Sequence, residues 1–462
     1  MNTYQSSLVG RGASPEMSYI WSDNNKFKLW RKLWAKLAET QKELGLGIIS
    51  DEQVEELNKA LKLPINIESA NEFESKIHHD VMAHIKAFGE QVPSAKGIIH
   101  LGATSQFVVD NADRMRIKES IGIILSKLIR LIVTIGEMAY KYRDSPALGY
   151  THYQPAQLTT VGKRAASWAY DLILVMEDLE FKASRLKTRG AKGATGTQAS
   201  YLQLFGGDYD KVRALDEAIS NSVGGMLPYL ITGQTYPRID DSLLMCSVAG
   251  LAAVCQKIAT DIRLLSHDKE IMEGFGKEQV GSSAMPYKKN PIKCERVCGL
   301  AKFVIGIAST NLTIAAEQWL ERSLDDSSPR RIVIPEAFLA TDAILESMTL
   351  IFRDLVINFP IISQHIVASA TQLILEKVLM VAVERGADRQ EFHEILRKHS
   401  TQYSGDELLK RLAQIPELSG INLEAECCKI NAAGCASKQV EEFYGIISDL
   451  KASHMELFDS SD

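Results

Sequence analysis

The chain carries only seven cysteines in 462 residues, and none lies in a Cys-x-x-Cys pair. Cys427 and Cys428 are adjacent, and Cys294 and Cys298 lie one helical turn apart. Neither spacing builds a disulfide framework or a zinc site, which leaves reduced thiols and a cytoplasmic setting as the expectation. A strong charge of one sign is also lacking. The formal net charge is −6, which disfavours nucleic acid or a membrane surface as partner but allows a local basic site for a small anion. The polar N-terminus (Asn2, Thr3, Gln5, Ser6) has no signal-peptide core. Lys127 and Arg130 interrupt the greasiest segment, so no membrane span is expected. No stretch shows two-residue alternation or a βαβ rhythm. There is no Gly-x-x-x-x-Gly-Lys, no Gly-x-Gly-x-x-Gly after a strand and no His-Glu-x-x-His. Gly190, Gly193 and Gly196 lead into Thr197-Gln198-Ala199-Ser200 and read as a loop rather than a nucleotide cradle.

Helical periodicity is what the chain has in abundance. From about Asp113, residues Ile117, Ile121, Ile124, Leu128, Leu131, Ile135 and Met138 alternate steps of four and three. Leu244, Val248, Leu251, Cys255, Ile258, Ile262 and Leu265 repeat the pattern. Such spacing makes a narrow apolar seam on a long helix that packs against similar helices. Further long helices are expected at about 155–188, 291–320 and 329–357, opened by Pro155, Pro291 and Pro329. The fold class is therefore all-α, a bundle of long helices. Shorter helices flank it, one opened by the capping box Ser50-Asp51-Glu52-Gln53. Asn358-Phe359-Pro360 breaks the pattern, giving segments 1–103, 104–358 and 359–462. Helices this long present more seam than one chain covers, which favours oligomerisation through the bundle.

Five clusters could carry chemistry. Gly281-Ser282-Ser283-Ala284-Met285-Pro286-Tyr287-Lys288-Lys289-Asn290, closed by Pro291 and preceded by Gly274 and Gly276, has the makings of a mobile lid with hydroxyls, a cation and backbone donors. Thr151-His152-Tyr153-Gln154-Pro155-Ala156-Gln157 offers an imidazole that suits proton donation, or else a capping residue. His78-His79-Asp80-Val81-Met82-Ala83-His84 holds three histidines and a carboxylate, but their spacing does not share one helix face, and no metal is expected. Leu101-Gly102-Ala103-Thr104-Ser105-Gln106 suits a helix N-cap, carboxylate binding, or both. Glu321-Arg322-Ser323-Leu324-Asp325-Asp326-Ser327-Ser328-Pro329-Arg330-Arg331 suits either a phosphate site or an arginine–aspartate network that fixes the turn.

These blocks, with Ile231-Thr232-Gly233-Gln234-Thr235-Tyr236, resemble in order and spacing the fumarase/aspartase/argininosuccinate lyase superfamily, and within it the adenylosuccinate lyase family, from about Ser14 to Phe338. The resemblance implies β-elimination of fumarate from adenylosuccinate, and from the succinylated aminoimidazole carboxamide ribotide, with no cofactor. It implies a homotetramer with active sites shared between subunits. It puts Ser282 at the general base, with Ser283 as its neighbour, His152 at the general acid, Glu295 at the group that orients it, and Lys288 at the stabiliser of the serine. Lys288 and Asn290, with Thr104, Ser105, Thr151 and His79, would hold the succinyl carboxylates. Arg322, Ser327, Arg331 and Arg11 would hold phosphate, and His78, Asp80, Gln234 and Arg296 match other substrate-contacting positions. The chain departs from the family at Gly12, where a tyrosine is usual, at His78, where arginine is frequent, and at Pro329, where asparagine is more usual. Two rival readings are a lyase acting on argininosuccinate and a scaffold protein of crystallin type without activity; intact Ser282, Lys288, His152 and Glu295 oppose the second.

Overall fold

The seams read from the sequence are what the helices bury. In the computed structural model, which describes residues 6–276, 278–428 and 433–458, five long helices run over Ser105–Lys141, Val161–Ser184, Ile239–His267, Ile292–Ala316 and Ser327–Arg353. Ile117, Ile121, Ile124, Leu128, Leu131 and Ile135 are buried on the first, and every stripe position from Leu244 to Leu265 on the third. Met138, at the end of the first stripe, is half-buried. Four-three spacing holds these side chains on one face, so each helix gains most of its stability from packing rather than propensity.

Pro155 does not open a helix. It lies in the second strand of a hairpin, Pro146–Thr151 with Gln154–Thr160, opposite Tyr150, and the helix starts at Val161. His152 and Tyr153 form the two-residue turn with φ of 53° and 58°, a backbone whose twist suits antiparallel strands. The hairpin buries no regular alternating face, so no period of two was visible in its sequence. Two further strand pairs, of two residues each, join Lys187–Thr188 to Leu227–Pro228 and Ile271–Met272 to Val356–Ile357. Pro291 and Pro329 do sit at helix starts, one just before Ile292 and one in the first turn after Ser327.

The expectation about apolar runs also needs correction. By length and composition, Ile239–His267 and Ile292–Ala316 are apolar enough to cross a membrane. Lys127 and Arg130 interrupt a different helix, Ser105–Lys141, and leave these two unaffected. Only 50% and 39% of their most apolar stretches are buried within this chain. Leu243, Leu264, Phe303, Ile305 and Leu312 stay exposed.

The chain divides into two compact units whose boundaries fall inside the five long helices. The first takes residues 1–128, 174–257 and 296–348. Here Ser50 caps its helix as the sequence predicts: its hydroxyl accepts from Gln53 N (3.3 Å) and the Gln53 side chain accepts from Ser50 N (3.0 Å). Ser14 N and Lys127 Nζ both donate to Asp342, at 2.5 Å each. These bonds lay the segment carrying Arg11 along the Ser327–Arg353 helix. At Gly12, with φ of 150°, an added Cβ would stand 3.1 Å from that of Ala343, so this chain's glycine fits a close backbone approach.

The second unit takes residues 129–173, 258–295 and 349–462. Ile374, Val378, Phe392, Leu396, Leu408 and Leu412 form the core of its C-terminal helices. Gly162 marks its tightest helix contact, because a Cβ there would lie 2.3 Å from the Ala139 carbonyl oxygen and 2.6 Å from Arg143 backbone. Gly162→Ala should therefore cost about 1–3 kcal/mol through backbone displacement, read as a lower urea midpoint with an unchanged slope.

Candidate active site

The loop of residues 281–290 lies in the second unit. Ser282 Oγ accepts from two backbone donors, Ala284 N at 3.3 Å and Met285 N at 3.1 Å. Two N–H groups aimed at one hydroxyl oxygen stabilise negative charge on it, and so favour its acting as a base. The loop is closed on itself by Asn290 Nδ2 donating to Gly281 O (2.9 Å) and Lys288 N donating to Met285 O (3.0 Å). A Cβ at Gly281 would stand 1.8 Å from the Lys288 carbonyl oxygen, so only glycine admits this ring. Ser283, Tyr287 and Lys288 are exposed.

Behind the loop, the Ile292–Ala316 helix presents its unpaired N–H groups to Glu273. The two carboxylate oxygens accept from Lys293 N (3.1 Å) and Cys294 N (3.0 Å), and Lys293 Nζ donates to Gly274 O (2.8 Å). A buried carboxylate at a helix start is favoured by the helix dipole. Glu273 went unnoticed in the sequence because it lies twenty residues before the amides it caps. Glu295 and Arg296 stand exposed in the first turns of the helix that Glu273 anchors.

His152 is exposed at the hairpin tip. The tyrosines on either side of it are anchored. Tyr150 OH donates to Glu270 Oε1 (2.8 Å), which also meets His365 Nδ1 (2.7 Å), and Tyr153 OH donates to Asp268 Oδ2 (3.0 Å). Burial, and then Glu270, hold the Tyr150 hydroxyl well above its ordinary pKa, so it stays a donor. A bulge at Gly149, where a Cβ would approach the Gln157 carbonyl oxygen to 2.7 Å, turns Tyr150 toward Glu270. Thr151 is exposed beside His152. Among the described residues, no hydrogen bond joins His152 to Ser282, Lys288 or Glu295.

The remaining candidates lie in the first unit. Arg331 and Asp80, 251 residues apart, form an ion pair at 2.9 Å. Arg331 thus pairs with neither Asp325 nor Asp326. His79 caps the Asp80–Gln91 helix, its Nδ1 accepting from Met82 N (3.3 Å), and His78 ends the preceding helix in the left-handed conformation. His84 stacks on Phe27 with centroids 3.7 Å apart, and burial, helped by Lys26, lowers its pKa to about 4. It is a core aromatic. Ser105 starts its helix, and the Thr104 hydroxyl is buried without a hydrogen-bond partner. The side-chain oxygen of Gln234 accepts from Thr195 N (2.7 Å) in the glycine-rich loop, and its carbonyl accepts from Arg189 Nε (2.8 Å). That loop thereby orients Gln234, leaving the amide nitrogen to donate. Arg11 is exposed on the N-terminal segment.

Beneath these groups lies a buried network that pattern reading reached only in outline. Tyr236 is ringed by Arg114, Arg238 and Arg330, at 4.9, 4.5 and 5.4 Å from its centroid. Arg238 donates to Asp110 (2.9 Å) and Asp326 (2.7 Å), Arg330 to Asp241 (2.9 Å), and Arg114 to Asp240 (2.6 Å). Tyr236 OH donates to Asp241 (2.7 Å). Arg322 pairs with Asp326 at 3.3 Å. The arginine block thus divides: Arg322 and Arg330 join the aspartates, while Arg331 faces outward beside Asp80. Ser327, half-buried, begins the helix between them.

Residues 11–306 match the model of a family described as Lyase. Among solved structures, the 3-carboxy-cis,cis-muconate lactonizing enzyme of Pseudomonas putida aligns with a TM-score of 0.83 over 97% of this chain and 100% of that one, at 22% identity. A fumarate lyase from Mesorhizobium sp. BNC1 aligns at 0.81 over 96% and 99%, at 21% identity. Fold and family match together define a lyase of all-α architecture. The adenylosuccinate lyase of Saccharomyces cerevisiae is 46% identical over 402 residues, 87% of this chain and 83% of that protein. That of Schizosaccharomyces pombe is 41% identical over 452 residues, covering 96% and 94%. The chain belongs to the adenylosuccinate lyase family.

The network makes a prediction. Burial alone would push the Asp241 carboxyl up, but Arg330, Arg238 and Arg114 outweigh it and hold the group below its ordinary value. Its stabilisation is therefore complete above the ordinary aspartate range near about 4 and is lost as pH falls through the depressed folded value. Asp241→Asn should cost about 3–5 kcal/mol at pH 7, the scale for breaking a buried ion pair. The difference from the parent protein should narrow in acid, as read from urea midpoints at pH 7 and pH 3.

Proposed function

We propose that this protein cleaves adenylosuccinate to AMP and fumarate, and the succinylated aminoimidazole carboxamide ribotide (SAICAR) to AICAR and fumarate, in purine nucleotide biosynthesis. The observation that carries this reading is the identity of 41% and 46% to adenylosuccinate lyases over most of both chains. The reaction is a β-elimination across a carbon–nitrogen bond. A base takes a weakly acidic proton beside a carboxylate, and an acid protonates the departing purine nitrogen.

Ser282 is the base. A hydroxyl is a poor one, and its two backbone donors are the kind of preorganised support that makes an alkoxide accessible in a closed, dry site, with Lys288 supplying the positive charge. His152 is the acid, oriented by Glu295. Thr104, whose buried hydroxyl has no partner, suits a substrate carboxylate together with Ser105, Thr151, His79 and Asn290. Arg331, Arg322, Ser327 and Arg11 take the phosphate, and Gln234, Arg296, His78 and Asp80 complete the contacts. No cofactor and no metal take part.

The assembly is a homotetramer. Its support is the apolar surface that Ile239–His267 and Ile292–Ala316 leave uncovered, which parallel helices of other copies would bury. Sites shared between subunits then bring His152 to a serine with which it makes no hydrogen bond within its own chain. The cytoplasm suits the cysteines: among the described residues, Cys246, Cys255, Cys294, Cys298, Cys427 and Cys435 form no disulfide.

An ultraviolet assay of purified protein with adenylosuccinate, and with argininosuccinate as the rival substrate, tests the reaction; turnover of the second alone would overturn it. Ser282→Ala and His152→Ala should each lower turnover by at least ~10²-fold without changing the oligomer. Normal turnover in Ser282→Ala with loss in Ser283→Ala would move the base by one residue.

Arg331→Lys tests the phosphate contact. A charge-assisted bidentate contact is worth about 1.5–3 kcal/mol, so AMP should bind roughly tenfold or more weakly while fumarate inhibition barely changes. If AMP affinity holds and the melting temperature falls, Arg331 serves only to pair with Asp80.

A further inference from the structure

The hairpin tip poses a mechanical problem. His152 has to aim an imidazole, yet it is exposed, and its turn contains no buried side chain to fix its direction. Both turn residues hold left-handed backbone, which is unfavourable for a tyrosine in particular. Something outside the turn must therefore hold it.

The holding groups come from one short stretch. After the Ile239–His267 helix ends, the backbone turns at Lys269, itself at φ of 60°, and Glu270 N donates to Leu265 O at 2.9 Å. This turn offers Asp268 and Glu270, two residues apart, to the tyrosines that bracket His152. Tyr150 donates to Glu270 at 2.8 Å, and Tyr153 to Asp268 at 3.0 Å. One anchor would leave the tip free to pivot about it; two anchors, before and after the histidine, fix its rotation. Glu270 is itself held hard. It is 0% exposed, its Oε1 lies 2.7 Å from His365 Nδ1, and its backbone carbonyl accepts from Asn358 N at 2.8 Å. Arg164, which donates to Leu148 O at 2.7 Å, supplies a compensating cation close by.

We infer that Glu270 and Asp268 are positioning residues for the reaction, acting through the hydroxyls of Tyr150 and Tyr153 to set the direction of His152. The inference rests on the reading of His152 as the proton donor. None of the four touches substrate: they are felt only through the imidazole. A merely structural anchor would instead lower stability and leave the orientation of the acid unaffected.

A double-mutant cycle separates the two. Tyr150→Phe and Tyr153→Phe each keep the ring and remove the hydroxyl. Each should lower kcat about tenfold, the scale of one charge-assisted hydrogen bond, with KM and melting temperature nearly unchanged. In a His152→Ala background the same substitutions should cost nothing further, because their effect passes through the side chain already removed. Unchanged kcat in both single variants would overturn the inference. So would losses that multiply in the His152→Ala background, since the tyrosines would then act independently of the histidine. If His152→Ala alone keeps full turnover, the acid assignment itself fails, and this is seen before any tyrosine variant is made.

Discussion

Three arginines packed around one buried tyrosine set the geometry of the first unit. Arg114, Arg238 and Arg330 carry full charges where water does not reach, so each needs a carboxylate, and each has two within ion-pair distance. Their partners come from the Ser105–Lys141 helix, the start of Ile239–His267 and the turn before Ser327–Arg353. Desolvated charge tolerates little displacement, because a small separation forfeits the attraction while the desolvation cost remains. The elements that carry Thr104, Ser105, Gln234, Arg322, Ser327 and Arg331 are thus tied to one rigid centre. An apolar core of equal volume would hold the helices together but would not fix their register so tightly.

Much of this was legible in advance, and what was not follows from the physics. Apolar seams announce long helices because burial demands a period, and both seams lie where the four-three steps put them. The hairpin at 146–160 escaped because its strands bury no alternating face; Pro155, in another setting a helix opener, is here an exposed strand residue. The arginine block could be read as phosphate site or as network, since an arginine fork suits either carboxylate or phosphate. Which arginine serves which partner depends on contacts across more than eighty residues, such as Arg238 with Asp326. No local pattern carries that information. Glu273 was missed for the same reason.

The two catalytic candidates of the second unit are held in opposite ways. Ser282 sits in a ring closed by its own loop, with backbone donors supplied from two and three residues away. A ring of that kind can travel as a unit without losing the donors that make the serine useful. His152 depends wholly on outside anchors, because a two-residue turn has no interior of its own.

With His152 read as the proposed proton donor, the left-handed turn at His152 and Tyr153 places catalysis and durability in opposition. A backbone of that shape is most comfortable with asparagine followed by glycine, and a laboratory search for heat resistance would drift toward that pair. Each such step would relax the loop and blunt the enzyme. On that reading, the residue type that chemistry asks for at the hairpin tip and the residue type that its backbone prefers are not the same.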